Sequence, residues 1–444
     1  MKGDFSRFTF NPLNNYLSVL KQQGRIDLDA DWNEQAEIGC EILRQLTADI
    51  LGQFAVPLGP NEITPDNSRT LAITDFTIGK GGVIDFKIGR GIAYVGGYQL
   101  RLPEEYTYRS QADLPEPEMP TADGDLLVYV EVWKKSVNYI DDEVIREPAL
   151  GGPDTCLRAK AIGQVKVMTV SGIADPHGAF EFLSNLPELS NVTLTLRMDQ
   201  SAFQIPLGFG EIEPAGGSIP GNLHFRLELH RGITSNGTAS EGFKWSDENA
   251  AVMARIIRNI DNRTFLVDEP EAIFGESFKV DDWIEISNSA SELRRQGSQM
   301  TRISTIENVE GGVMITTEAE IHPMLVRRKN GGREGLHLEL SPRMRRWSGY
   351  ISPLASKTVY DLGQGVKAIF GSPERKHFFD PGDYWTFALR DRNYNKMFAP
   401  QKALPSGICK HRHPLAIIRR AAKRQAGDII DCRRFFKPIA GFPT

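Results

Sequence analysis

The feature that most limits what this chain can fold into is one long amphipathic helical pattern, at residues 31–54, in a sequence that otherwise reads as β. Asp31 can accept from the free amides of the first turn while Glu34 reaches back, as in a capping box. Apolar residues then recur at spacings of three or four and share one side of a helix. They are Trp32, Ala36, Cys40, Leu43, Leu46, Ile50 and Phe54. The pattern predicts a helix whose apolar stripe must pack on something.

The leader that precedes this helix is rich in aromatic residues, which makes it too apolar to remain free in water. We therefore predict that residues 1–54, arm and helix together, form a docking element. The residues predicted to bind a partner are Phe5, Phe8, Phe10, Trp32, Leu43 and Ile50.

The remainder of the chain predicts a fold class that is mainly β and multidomain, with β-sandwich or barrel modules and one N-terminal amphipathic α-helix. Residues 55–70 contain three prolines and read as a linker. Short alternating runs bounded by glycines follow, as expected of hairpins. We assign residues 71–241 to a β domain, 242–347 to an inserted small β-barrel or sandwich, and 348–444 to a β segment that completes the main β domain.

Charge and hydropathy exclude several classes of function. The net charge of −5 is small for 444 residues, so bulk electrostatics favour neither nucleic acid nor an anionic membrane as partner. No apolar run reaches the roughly 18 residues of a membrane span, and the N-terminus lacks the apolar core of a signal peptide. We expect synthesis and assembly in the cytoplasm.

The cysteines and histidines near the C-terminus provide the sharpest candidate for chemistry. In a strand, Cys409, His411 and His413 would share one face, and Cys432 could supply a fourth zinc ligand. The spacing matches no zinc module, however, and Pro414 follows at once. A Cys–His nucleophile from the same residues would lack an oxyanion-hole loop. We therefore expect free thiols, no metal, no cofactor and no enzymatic activity.

Two further patterns leave alternatives open. The basic runs at 327–346 and 410–437 could face phosphates, but they lack interleaved aromatic residues and fit protein–protein contacts as well. Tryptophans at the edges of strand-like runs could form a sugar platform, although packing in a core is their commoner use. These residues are Trp133, Trp245, Trp283, Trp347 and Trp385.

The opening MKGDFSRFTFNP and the following QQGRIDLDADWNEQ resemble an uncharacterised bacterial family associated with contractile phage-tail-like injection systems and prophage tails. Later segments are similar to the same family, including IREPALGGPDTCLRAK (Ile145–Lys160), GDYWTFALR (Gly382–Arg390) and DCRRFFKPI (Asp431–Ile439). The stretch GICKHRHPLA departs from the family pattern, in which two histidines are adjacent. The alternating Cys/His arrangement is therefore particular to this chain.

The resemblance implies a structural subunit of a contractile phage-tail-like particle, at its baseplate, in a surrounding cage or along a fibre. It implies other particle subunits as partners, a homo-oligomer within the particle, and release from the cell as part of that particle. The family offers no catalytic residues to carry over. The alternative is a surface- or carbohydrate-binding module displayed on such a particle.

Overall fold

The computed structural model describes most of the chain, and strands account for 44 % of it against 15 % for helices, which confirms the predicted class. It shows multiple sheets and one long N-terminal helix. The described residues are 1–59, 68–79, 83–119, 124–150, 154–198, 223–268, 277–326, 340–371, 379–389, 400–420 and 426–437. Within these ranges, no helix is long and apolar enough to span a membrane.

The N-terminal part contains the long helix α1, Asp29–Leu51, and a shorter helix α2, Pro176–Ser184. Its strands are β1 (Phe54–Pro57), β2 (Ile73–Ile78), β3 (Ile84–Ile88), β4 (Gly91–Val95), β5 (Tyr98–Leu102), β6 (Tyr106–Thr107), β7 (Asp125–Val137), β8 (Arg158–Val170) and β9 (Thr193–Met198).

The middle part contributes eight strands and two short helices from the described residues. The strands are β10 (Leu223–Ile233), β11 (Ala239–Ser246), β12 (Met253–Asn259), β13 (Thr264–Val267), β14 (Trp283–Ser287), β15 (Gln299–Val309), β16 (Gly312–Thr317) and β17 (Arg343–Trp347). The helices are α3 (Ser289–Arg294) and α4 (Pro323–Val326).

The C-terminal part adds strands that return to sheets begun earlier in the chain. They are β18 (Gly349–Ile351), β19 (Val359–Asp361), β20 (Val366–Gly371), β21 (Tyr384–Leu389), β22 (His411–Arg420), β23 (Ala426–Asp431) and β24 (Phe435–Phe436).

Helix α1 differs from its predicted bounds at both ends. It begins at Asp29 after the N-cap Leu28, which makes no side-chain cap, so the capping box predicted at Asp31 does not form. Asp29 lies in the first turn, where its carboxylate accepts a 2.8 Å hydrogen bond from the Ser6 amide. The helix ends at Leu51 rather than Phe54, because Gly52 follows with a φ of 80°.

The segment predicted as a linker begins with a buried strand. β1 pairs antiparallel with β4 and parallel with β24, so Ala55 and Val56 are buried where a linker was predicted. The pairing with β24 supplies backbone hydrogen bonds from the far end of the chain, which local sequence does not reveal. Residues 60–67 of the predicted linker lie outside the described residues.

Three sheets build the first core. Their strand orders are β24-β1-β4-β5, β2-β3-β6 and β23-β22-β7-β8. The strand β7 carries alternating apolar residues into this core and pairs along its whole length with β8. Its other edge pairs with β22, so the C-terminal segment completes the sheet that β7 begins.

A second core lies between two further sheets, ordered β18-β11-β10-β21 and β19-β20-β9. Phe225, Phe243 and Phe370 are fully buried within it. The range 71–241 therefore contributes to two cores, and the range 348–444 supplies strands to both of them.

A closed six-stranded barrel forms the third core, in the order β12-β13-β16-β15-β14-β17. It occupies residues 253–347, within the segment 242–347 assigned to a small barrel or sandwich. The strands that flank it in sequence, β11 and β18, pair with each other through Trp245 and Gly349. Because these strands are neighbours, the chain enters and leaves the barrel at adjacent points.

Candidate interaction surface

Helix α1 lies on the body of the protein through its polar side. Lys134 on β7 forms a 2.6 Å ion pair with Glu37, and Arg44 donates a 3.0 Å hydrogen bond to the Gly96 carbonyl oxygen. A Cβ atom at Gly97 would lie 2.0 Å from the Arg44 carbonyl oxygen, so a glycine is needed where the helix approaches this turn. Polar contacts therefore fix which side of α1 faces inward.

The same helix turns its apolar stripe away from the body. Trp32 is 74 % exposed, and Leu43, Leu46 and Ile50 each expose more than half of their surface. Only three residues of the helix are buried, and two of them are alanines: Ala30, Ile38 and Ala48. The orientation is thus opposite to that of an ordinary surface helix, in which the apolar stripe covers the core.

The leader extends this apolar surface. From Asn11 to Asp29 every residue is exposed except Val19, which is partly buried. The large apolar side chains here are exposed, from Leu28 at 43 % to Ile26 at 86 %. They are Leu13, Tyr16, Leu17, Leu20, Ile26 and Leu28. The Val19 amide donates a 2.7 Å hydrogen bond to the Gln35 side chain, so the leader lies against α1.

The tip of the leader, in contrast, is bound to the body. Gly3 is buried, and its carbonyl oxygen accepts a 2.8 Å hydrogen bond from the Asn249 side-chain amide. The Nδ1 atom of His224 lies 3.0 Å from the Phe5 carbonyl oxygen, and the Phe8 ring packs edge-on against the same imidazole at 5.2 Å. These contacts attach the arm to its own chain.

A buried network of charged side chains anchors the tip more firmly. Lys2 lies 3.0 Å from Glu228 on β10, and Lys244 on β11 lies 3.2 Å from the same carboxylate. Lys244 also pairs at 2.5 Å with Glu285 of the barrel, which accepts a hydrogen bond from Trp347 Nε1. The arm, the second core and the barrel therefore meet at one set of ion pairs.

The electrostatics of this network keep its carboxylates ionised. Burial alone would raise the pKa of Glu228, but Lys2, Lys244 and Arg226 hold that pKa well below its ordinary value. The pKa of Glu285 is depressed in the same way, mainly by Lys244. Burial, reinforced by Lys244, lowers the pKa of His230 to about 3, which leaves its imidazole neutral.

The residues predicted to bind a partner thus divide into two groups. Trp32, Leu43 and Ile50 are exposed on the outer face of α1. Phe5 and Phe10 are partly buried, and Phe5 packs on Phe8 at 5.1 Å between ring centroids. The sequence-based prediction does not include the leader residues after Phe10, although Leu13, Tyr16, Leu17 and Leu20 recur at spacings that indicate an apolar face.

The four potential zinc ligands serve other purposes in the fold. His413 stacks on Phe54 with ring centroids 4.0 Å apart, and burial lowers its pKa to about 3. Cys432 packs in an apolar cluster, where burial raises its pKa to about 12. His411 packs beside Gly96 and Tyr98, while Cys409 is exposed. Across the described ranges, no group of three or more His, Cys, Asp or Glu residues could hold a metal ion.

Three arginines in the described parts of the two basic runs are neutralised internally. Arg343 lies 2.8 Å from Asp141, Arg346 lies 2.7 Å from Glu248, and Arg412 lies 2.7 Å from Glu131. These arginines are largely buried, so they present no basic surface to phosphates. Arg327, Arg328, Lys329 and Arg333 lie outside the described residues.

The tryptophans considered as a sugar platform are packed into the molecule. Trp133, Trp347 and Trp385 are buried, and Trp245 and Trp283 are partly buried. A cavity of about 410 Å³ lies beside the second core, lined mainly by apolar residues such as Leu354 and Phe370. Its carboxylate, Glu241, pairs with Arg231 at 3.0 Å.

Comparisons with known proteins give one match. The model of a family of unknown function (DUF6519) matches residues 1–179. This range contains the leader, α1 and the first eight strands. Searches against curated proteins and against solved structures found no match.

Proposed function

We propose that this chain is a structural subunit that acts by assembling with other subunits, and that the assembly is a contractile phage-tail-like injection particle. The observation that carries the assembly role is the set of exposed apolar side chains on the outer face of α1 and on the leader that is bonded to it. Contiguous exposed apolar patches beyond a few hundred Å² mark interaction sites in soluble proteins. The identity of the particle is supported by the sequence resemblance described above.

The orientation of α1, with its apolar stripe facing solvent, supports this proposal. Turning the helix about its axis would bury the stripe against the body, but it would break the ion pair of Glu37 and the hydrogen bond of Arg44. Specific polar contacts thus hold the apolar stripe toward solvent, as expected of a subunit that binds a permanent partner there. The partners proposed are other baseplate or tail-particle subunits, including further copies of this chain.

Enzymatic activity has no comparable support among the described residues. The buried carboxylates and lysines of the network pair with one another, and they lie beneath the arm rather than beside a cleft. The 410 Å³ cavity brings Glu241 together with apolar side chains and no nucleophile–base pair. We therefore propose no reaction.

The test is incorporation into particles. The tagged chain would be expressed with its native gene neighbourhood, particles would be purified by density gradient, and their subunits would be quantified by mass spectrometry. We expect the wild-type chain in the particle fraction at a fixed ratio to other subunits. The variant L13S/L17S/L20S should remain folded and monodisperse but leave that fraction.

The matched control replaces exposed apolar residues outside the surface. Val144, at 89 % exposed, and Val359, at 52 %, are suitable, so V144S/V359S should enter particles like the wild type. Absence of the wild-type chain from every multi-subunit particle would overturn the proposal. Incorporation of L13S/L17S/L20S at the wild-type level would show that the leader is not part of the assembly surface.

A further inference from the structure

The apolar stripe of α1 has the spacing of a helix–helix seam when the partly exposed Gly39 is counted in place of its neighbour Cys40. Its six positions advance by four, three, four, three and four residues, which is the alternation of the a and d positions of a coiled coil. They are Trp32, Ala36, Gly39, Leu43, Leu46 and Ile50. A helix that covers a sheet or a loop has a wider apolar face. The spacing therefore indicates that the occupant of this stripe is another helix.

The order of large and small residues along the seam is self-complementary when two copies run antiparallel. With a two-fold axis at the level of residue 41, Trp32 of one copy lies opposite Ile50 of the other. Ala36 then faces Leu46, and Gly39 faces Leu43. Small residues meet large ones in both inner layers, as close packing requires. In a parallel pair, Gly39 would face Gly39 and leave a gap in the middle.

Charge presents no barrier to self-association along this seam. The flanking positions carry Asn33, Gln35, Cys40, Ile42, Thr47 and Asp49. Asp49 is the one charged residue among them, and in the antiparallel arrangement it lies opposite Gln35. The acidic residues Glu34, Glu37 and Glu41 lie on the side of α1 that contacts the body, where Lys134 and Arg44 pair with two of them. The flanks thus lack the charge pattern that would select a different helix.

The area available fits a dimer only when the leader takes part. Burial of one large aliphatic side chain removes roughly 100 Å² of apolar surface, so the four large seam residues account for roughly half of the 800 Å² per partner of a standard interface. The leader residues beside α1 supply the remainder. Because Val19 is bonded to Gln35, they lie along one flank of the seam.

We propose that two copies of this chain associate through an antiparallel, two-fold pairing of α1, bordered by the leader. The proposal deepens the assembly role proposed above and rests on it. It assigns the partner, the orientation and the register: Gly39 against Leu43 at the centre, and Gln35 against Asp49 at the flanks.

Cysteine cross-linking tests orientation and register. In a C40S/C156S/C409S background the remaining thiol, Cys432, is buried. Q35C and D49C would each be placed in this background, and the two variants would be treated with a short bismaleimide separately and after mixing. We expect a cross-linked dimer from the mixture and little from either variant alone. Self-cross-linking of Q35C alone would indicate a parallel pair and overturn the proposal.

A size exchange tests the packing of the central layer. A Cβ atom at Gly39 would have no neighbour within 4 Å, so G39L should leave the monomer folded while it overfills the layer opposite Leu43. We expect G39L to weaken dimerisation at least tenfold by analytical ultracentrifugation and G39L/L43A to recover most of that loss. Unchanged affinity of G39L would contradict the proposed register.

The two proposals fail in distinguishable ways. Particles that contain the chain, together with no cross-link between Q35C and D49C, would mean that α1 binds a different subunit; the antiparallel pair would then be wrong and the assembly role would stand. A cross-linked dimer that never enters particles would support the antiparallel pairing of α1 and contradict the proposed role in a particle.

Discussion

The two halves of the N-terminal region place their side chains in opposite ways. The tip of the leader, residues 1–5, brings a lysine and backbone carbonyl groups into contact with buried charged and polar side chains of the body. Residues 11–28 and the outer face of α1 leave leucines, isoleucines and a tryptophan in water. The first half is satisfied by contacts within its own chain, whereas the second half leaves its apolar side chains uncovered. The difference separates residues that hold the element in place from those that remain available for binding.

The largest expected effect comes from breaking the anchored half. E228A removes the carboxylate shared by Lys2, Lys244 and Arg226. Loss of one partner in a buried ion network costs about 3–5 kcal/mol, because the remaining charges stay buried without compensation. We expect the free energy of unfolding, measured by urea denaturation, to fall by that amount.

The control for this variant is K21A. Lys21 pairs with Asp27, but both side chains are at least 70 % exposed, so the change should cost less than about 1 kcal/mol. A similar effect of E228A and K21A would mean that the buried network does not stabilise the fold, and the contrast between the two halves would disappear.

Acid sharpens the comparison, since the interior contains ionised carboxylates and the exposed seam contains none. Glu131 provides a measurable case: burial opposes its ionisation, but Lys166 and Arg412 lower its pKa to about 2. A depressed pKa contributes stability that is present above about pH 4.5 and is lost as the pH falls toward 2. The shift corresponds to about 3 kcal/mol.

The variant E131Q should therefore be less stable than the wild type at pH 7 and should lose less stability between pH 4.5 and 2. Denaturation at a series of pH values measures how steeply the free energy of unfolding changes with pH in E131Q and in the wild type. E310Q, at an exposed position, serves as the control. Equal slopes for E131Q and the wild type would show that the ion pairs of Glu131 do not lower its pKa.

Substitutions in the exposed half should affect association and spare folding. W32A/L43A removes two large side chains that contact little of their own chain. Truncating large side chains that anchor an interface costs about 2 kcal/mol or more, or roughly 30-fold in affinity, whereas surface changes alter stability by about 0.5 kcal/mol. Sedimentation should therefore show weaker association, whereas thermal unfolding should show almost no change in stability. A marked loss of thermal stability would place these side chains in the core.

The smallest expected effect concerns metal. His413 is stacked on Phe54 and Cys432 is packed among apolar side chains, so chelation should leave the melting temperature unchanged. Calorimetry with and without a chelator, combined with elemental analysis, measures this. Stoichiometric zinc whose removal lowers the melting temperature would return Cys409, His411, His413 and Cys432 to consideration.

The sequence predicts the elements whose signals are local. β4 and β5 form a hairpin, as expected of short runs bounded by glycines, because the intervening Gly96 and Gly97 adopt the positive φ angles of a tight turn. The stripe of α1 is likewise visible as periodicity. Its direction is not, since the contacts that orient the helix come from Lys134 and Gly96, which are remote in sequence.

The incorrect prediction of a linker directly after α1 has the same cause. β1 resembles a proline-rich linker because its parallel partner, β24, lies near the other end of the chain. The alternating His411 and His413 do begin a strand, as the zinc hypothesis assumed, but the ring that stacks on His413 belongs to Phe54. The buried network was not predicted at all, because Lys2, Glu228 and Glu285 are ordinary surface residue types in sequence.

The pairing of β7 with β22 has a consequence for synthesis on the ribosome. Val137 ends β7 and His411 begins β22, so about 270 residues must be translated before the second edge of β7 can be covered, which takes roughly 15–55 s at 5–20 residues per second. During that interval a long apolar strand presents open backbone donors and acceptors. We expect the nascent chain to depend on a chaperone until the C-terminal strands emerge, and truncations before residue 411 to aggregate.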